Sequence, residues 1–159
     1  MANTQVQLRR GTTAENDAFT GAEGEVVYDT EKKQLRVHDG EKVGGFSIDP
    51  LVAFQTPTAE NGYTWYRLYA SGWVEQGGAV SVLTGGQYAI QTVALPVEMQ
   101  NTLYTITAIA FYSGGGDTSV TVKVDDSLTT VNSFGVRKNW SSTSGGFHWQ
   151  VSGIAKVGE

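Results

Sequence analysis

The chain has 159 residues, 40% of them hydrophobic, with 20 glycines, 3 prolines and no cysteine. That mix fits a folded, turn-rich chain of ordinary domain size and argues against disorder, a disulfide framework and a thiolate metal site. A formal charge of −5, with basic pairs only at Arg9-Arg10, Lys32-Lys33 and Arg137-Lys138, speaks against nucleic-acid binding, which needs clustered cations. No apolar run approaches the roughly 18 residues of a membrane helix, and the polar start MANTQVQLRR is not a signal peptide; the expectation is a soluble protein made in a cytoplasm.

Charge is unevenly spread. Residues 1–49 carry 15 charged side chains, whereas residues 50–159 carry 12 but hold 14 of the 17 aromatics. The change falls at VGGFSIDPLVAF, where Gly44-Gly45 and Asp49-Pro50 break regular structure. The chain is therefore read as a module at 1–49, a linker at 50–62 and a larger domain at 63–159.

In the first module, Val6 and Leu8 share one side of a predicted strand. Thr12 and Glu15 then form a capping box that opens a helix of about two turns ending near Gly21. EVVYDTEKKQLRVHDG reads as a hairpin, with Val26–Tyr28 and Leu35–Val37 as strands and DTEKK as the turn. So few apolar side chains cannot support a stable fold of roughly 40–60 residues without help. Disulfides and metals are unsupported, which leaves self-association.

The second block reads as strands at 64–70, 73–76, 79–83, 87–95, 102–112, 118–124, 130–136 and 147–156. Ser71-Gly72, Gly77-Gly78, Gly85-Gly86, Gly114–Gly116, Asp125-Asp126 and Gly145-Gly146 supply the turns. LYTITAIAF alternates Leu103, Thr105, Thr107, Ile109 and Phe111 against Tyr104, Ile106, Ala108 and Ala110. With no long helical stripe, the fold class is all-β, a sandwich with short connections. WYRLY–ASG–WVEQ is expected to be a hairpin, with Trp65, Tyr66, Trp73 and Trp149 packing the core.

Two resemblances follow from these residues. QVQLRRGTTAENDAFTGAEGEVVYDTEKKQLRVHDGEKVGG is similar to the N-terminal module of phage tropism-determinant and tail-fibre proteins, with its RRGT motif, short helix, EGE strand start and DG…GG turn. NGYTWYRLYASGWVEQGG, LPVEMQNTLYTITAIA and FGVRKNWSSTSGGFHWQVSGIA resemble pieces of the C-terminal domain of phage tail fibres. The resemblance implies an intertwined, trimeric N-terminal β-module followed by a β-sandwich knob at a fibre tip. It further implies a homotrimer in the virion, made in a bacterial host. The knob would bind a host cell-surface receptor, with carbohydrate as the expected class, and the first module would join other virion proteins. Only about a dozen residues lie where tail fibres carry a long shaft, so a head fibre or capsid-decorating protein stays open as an alternative.

Chemistry for catalysis is hard to find. Asp125-Asp126 is the only adjacent acidic pair and reads as a solvated turn rather than a glycosidase dyad. His38 and His148 lie in strand-like runs without a GxSxG elbow, and no glycine motif precedes a helix. A polysaccharide depolymerase is the remaining enzymatic alternative. Three copies of His148 on an axis could make a metal site, but the ordinary alternative is a strand histidine, and no metal or cofactor is expected. Binding is assigned instead to two loops, one holding Tyr112 and Asp117, the other Arg137, Lys138, Asn139 and Trp140. The alternative for Trp140 is a side chain folded back on the sandwich.

Overall fold

The computed structural model describes residues 7–111, 121–139 and 145–156. It separates into two compact units, Met1–Leu51 and Val52–Glu159.

The first unit contains β1 (Arg9–Gly11), α1 (Thr13–Asp17), β2 (Val26–Asp29), β3 (Gln34–Val37) and β4 (Phe46–Ser47), and its sheet runs in the order β1-β2-β3-β4. The capping box forms as the sequence predicts: the Thr12 hydroxyl accepts from the Glu15 amide, while the Thr12 amide donates to Glu15 Oε2 at 2.7 Å. The hairpin of β2 and β3 also forms, its turn closed by Lys33 at φ +54°. The helix is shorter than expected. It stops after Asp17 because Phe19 turns edge-on to the His38 ring, 5.2 Å away, and the Gly21 amide donates to His38 Nδ1 at 3.0 Å rather than to a helical carbonyl.

Polarity in this unit is inverted. The inward face of β3 carries Gln34 and Arg36, followed just past the strand by His38, all buried beside Asp29 and Asn16; Val27 is the buried apolar residue of the unit among the described residues. Arg36 holds the interior together by donating to Asp29 Oδ2 at 2.7 Å and to Asp17 Oδ1 at 2.6 Å. Alternation therefore puts Leu35 on the opposite face, across the ladder from Tyr28, with Val37 paired to Phe46 beside them. Leu8, Leu35, Phe46 and Ile48 are all exposed.

The second unit is a two-sheet sandwich. One sheet has the order β5-β6-β7-β12-β9, from strands Leu51–Gln55, Trp65–Tyr69, Trp73–Val80, Gly146–Ile154 and Thr105–Phe111 respectively. The other has the order β10-β11-β8, from Val122–Asp125, Ser133–Lys138 and Ile90–Ala94. Val74, Phe147, Trp149 and Val151 from the first sheet meet Val93, Phe134 and Val136 from the second in one core. Trp149 meets Phe134 edge-on with ring centroids 5.6 Å apart. Tyr104, Ile106, Ala108 and Ala110 pack against that core, so the alternation of LYTITAIAF resolves with this set inward.

Several expectations need correction. The segment read as a linker contains β5, the edge strand next to β6. Gly77-Gly78 is no turn: β7 runs unbroken through it, paired from end to end with β12. The glycines are there for ring space, since a Cβ at Gly77 would lie 2.7 Å from Trp65 Cζ2 and one at Gly78 3.1 Å from Trp149 Cζ2. The WYRLY–ASG–WVEQ hairpin forms, with Gly72 at φ +86°. Trp149 and Tyr66 serve the core as expected, but Trp73 does not: it is 41% exposed, because Val74 takes the inward position and alternation turns Trp73 outward, opposite Ile154.

Candidate functional site

The strands that build the site follow from a period of two. In SFGVRK, Phe134, Val136 and Lys138 face inward while Ser133, Gly135 and Arg137 face out. In VKVD, Val122 and Val124 pack against the core and Lys123 is exposed. The antiparallel register sets Lys123 directly opposite Arg137, and Asp125 opposite Gly135.

After β10 the chain makes one 3-10 turn, Asp126–Leu128, capped by Asp125. Leu128 folds back over Gly135, where a Cβ would lie 2.7 Å from the leucine Cβ, so glycine is what lets the turn close down on the sheet. The outer strand face and this turn enclose a cleft of about 320 Å³ lined by Lys123, Val124, Asp125, Asp126, Ser127 and Arg137.

Its electrostatics centre on Asp125. Oδ1 accepts from the Ser127 hydroxyl at 2.6 Å and the Ser127 amide at 3.2 Å, and Oδ2 accepts from Arg137 Nε at 2.6 Å. The Ser127 hydroxyl first, then Arg137, holds this carboxyl below its ordinary range, so it stays ionised and fixes the arginine. Among the described residues Lys123 and Asp126 make no ion pair. The cleft thus joins one held ion pair, Arg137 with Asp125, to two exposed charges, a set suited to holding a small polar ligand.

Sequence adjacency misgrouped these residues. Arg137 belongs to the cleft, but Lys138 does not: it is 1% exposed, on the core side of β11, with Nζ donating to the Leu83 carbonyl at 3.1 Å. Asn139 closes the hairpin, its Oδ1 accepting from the Thr121 amide at 2.7 Å and its amide donating to the Thr121 carbonyl at 3.1 Å. Trp140, Tyr112 and Asp117 lie outside the described residues. His148 is on the exposed side of β12, its ring tilted against Phe111 at 4.9 Å. Lys123 and Ser127 were missed, because only the strand register brings them to Arg137. The one signal in the sequence was the alternation of SVTVKV, which places Lys123 opposite its valines.

Comparison with known proteins gives three results. Residues 6–42 match the family described as Major tropism determinant N-terminal domain. A solved structure, the Major Tropism Determinant P3c Variant, is 28% identical over 56% of this chain and 29% of its own, with a TM-score of 0.28, too low to bear on the fold. The Tail fiber receptor-binding protein of Bordetella phage BPP-1 is 29% identical over 151 residues, covering 92% of this chain; the chain spans 38% of that protein's length. In sequence, the chain is thus distantly similar to a phage tail-fibre receptor-binding protein and to the major tropism determinant, whose N-terminal domain model matches its first module.

Proposed function

We propose that this chain is a phage fibre or spike protein, a virion component that attaches to the bacterial surface as a homotrimer and carries out no catalysis. The observation that carries the proposal is the similarity over 92% of the chain to a tail fiber receptor-binding protein. Residues 1–49 would trimerise and join other virion proteins, and the sandwich at 63–159 would contact the host receptor, with carbohydrate as its class.

The inverted polarity of the first unit supports self-association. A sheet whose inner face is ionic and whose outer face carries Leu8, Tyr28, Leu35, Phe46 and Ile48 gains its hydrophobic stabilisation only when that outer face is covered. Of the residues singled out from the sequence, Arg137 is the contact with a defined setting. Asn139, Trp140, Tyr112 and Asp117 remain proposed receptor contacts.

Fluorescently labelled full chain, titrated against a panel of bacterial strains by flow cytometry, tests this. Saturable adsorption to some strains, abolished by periodate oxidation of their surface sugars, is expected. Adsorption to none would overturn the attachment role, and adsorption indifferent to periodate would overturn carbohydrate as the receptor class.

A further inference from the structure

We propose that the cleft between the β10–β11 face and the Asp126–Leu128 turn binds an acidic saccharide unit, a sugar ring bearing a carboxylate or phosphate. The proposal rests on the receptor-binding reading for its biological setting.

The first observation is a pairing that costs the unliganded protein. Lys123 and Arg137 stand directly opposite each other on the outer face of an antiparallel pair, and like charges so placed repel. Asp125 relieves only part of this, because its Oδ2 takes Arg137 Nε while Oδ1 is committed to Ser127. The terminal Nη groups of the guanidinium and the whole Lys123 ammonium are left uncommitted among the described residues. An anion bridging the two cations removes the repulsion and satisfies both. A carboxylate or phosphate suits the arginine fork, which the Asp125 bond holds in one orientation.

The second observation excludes a bare anion. Asp126, exposed on the cleft wall, would repel one. It is well suited instead to accept hydrogen bonds from ring hydroxyls, as is the Ser127 oxygen, whose own proton is spent on Asp125. The ligand must therefore carry negative charge at one end and donors at the other. The third concerns neutral sugars. None of the six lining residues is aromatic, so none of them offers a stacking face to an uncharged ring. The volume, about 320 Å³, is at the small end of ligand sites and matches one sugar unit rather than an extended chain.

An NMR titration of the ¹⁵N-labelled full chain at low salt tests the assignment, using galacturonic acid, glucose 6-phosphate, glucose and inorganic phosphate as probes. At least one acidic sugar should move the amide signals of residues 123–127 and 137, and the one that does so more strongly identifies carboxylate or phosphate as the recognised group. Glucose and inorganic phosphate should bind at least tenfold more weakly. Lys123→Gln and Asp126→Asn should each weaken the acidic sugar at least tenfold. Lys123→Gln should also leave Tm unchanged or raise it, since it removes the like-charge pair; a lowered Tm would refute that cost. Silence from both acidic sugars, equal binding of glucose, or equal binding of inorganic phosphate would overturn the proposal. So would Asp126→Asn binding every anion more tightly, the mark of a bare anion site. Failure here with bacterial adsorption intact leaves the attachment role standing and moves the contact elsewhere. Sugar binding without adsorption does the reverse.

Discussion

Asp29 is fully buried yet charged. Burial alone pushes its carboxyl upward, but the amides of Lys32 and Glu31, the Arg36 guanidinium and the Thr13 hydroxyl together outweigh it and bring the pKa from 3.8 to about 2. Because the folded value lies below the unfolded one, the stabilisation from this group is complete above pH 3.8 and is lost as pH falls toward 2. Asp29→Asn should remove that dependence and, by leaving Arg36 short of a buried partner, destabilise the first unit by about 3–5 kcal/mol. Urea titrations between pH 5 and pH 2 check both parts: the parent should lose stability as the acid range is entered, and the variant should start lower and change less. Equal slopes would remove Asp29 as the acid-sensitive group.

At the scale of the element, β7 shows how a motif with a strong local meaning can be overruled. A glycine pair between two strand-like runs reads as a turn, because glycine is permissive there. In β7 neither Gly77 nor Gly78 has a positive φ, and both sit under indole rings. Gly77 is hemmed in from two sides, since an added Cβ would also lie 2.8 Å from the Trp149 carbonyl oxygen. Gly77→Ala should therefore cost about 1–3 kcal/mol through overpacking. Gly86→Ala, where nothing lies within 4 Å of the added carbon and φ is not positive, is its control and should be close to neutral. Thermal melts of the two variants beside the parent decide the matter, and equal melting of the pair would mean that the rings move aside freely.

For the whole molecule, the feature to explain is a first unit with a polar interior and an apolar exterior. If copies of the chain cover that exterior, Leu35→Glu should break the assembly while leaving the protomer folded, since Leu35 is 38% exposed and opposite Tyr28 on the uncovered face. Light scattering should find the parent near three times 17.1 kDa and the variant near one. A parent that stays at 17.1 kDa at micromolar concentration rules out the homotrimer, and a variant that keeps the parent's mass places the seam elsewhere.

Local chemistry was legible without any coordinates. The Thr12–Glu15 capping box, the β2–β3 hairpin, the Ala70-Ser71-Gly72 turn and the alternating strands of an all-β sandwich are written in neighbouring residues, because caps, turns and pleats are set by atoms a few positions apart. The helix end was not legible, since it depends on Phe19 meeting His38, nineteen positions on and just past β3. Nor was the outward turn of Trp73, which follows from the core claiming Val74. The site divides the same way. Arg137 stood out by its type, but its neighbours in sequence were the wrong partners: on a strand the next residue points to the opposite face, which sends Lys138 into the interior. Its partners in the fold, Lys123, Asp125 and Ser127, are 10 to 14 positions away. Only the pairing register of β10 with β11, fixed by burial of Val122, Val124, Phe134 and Val136, brings them to one cleft.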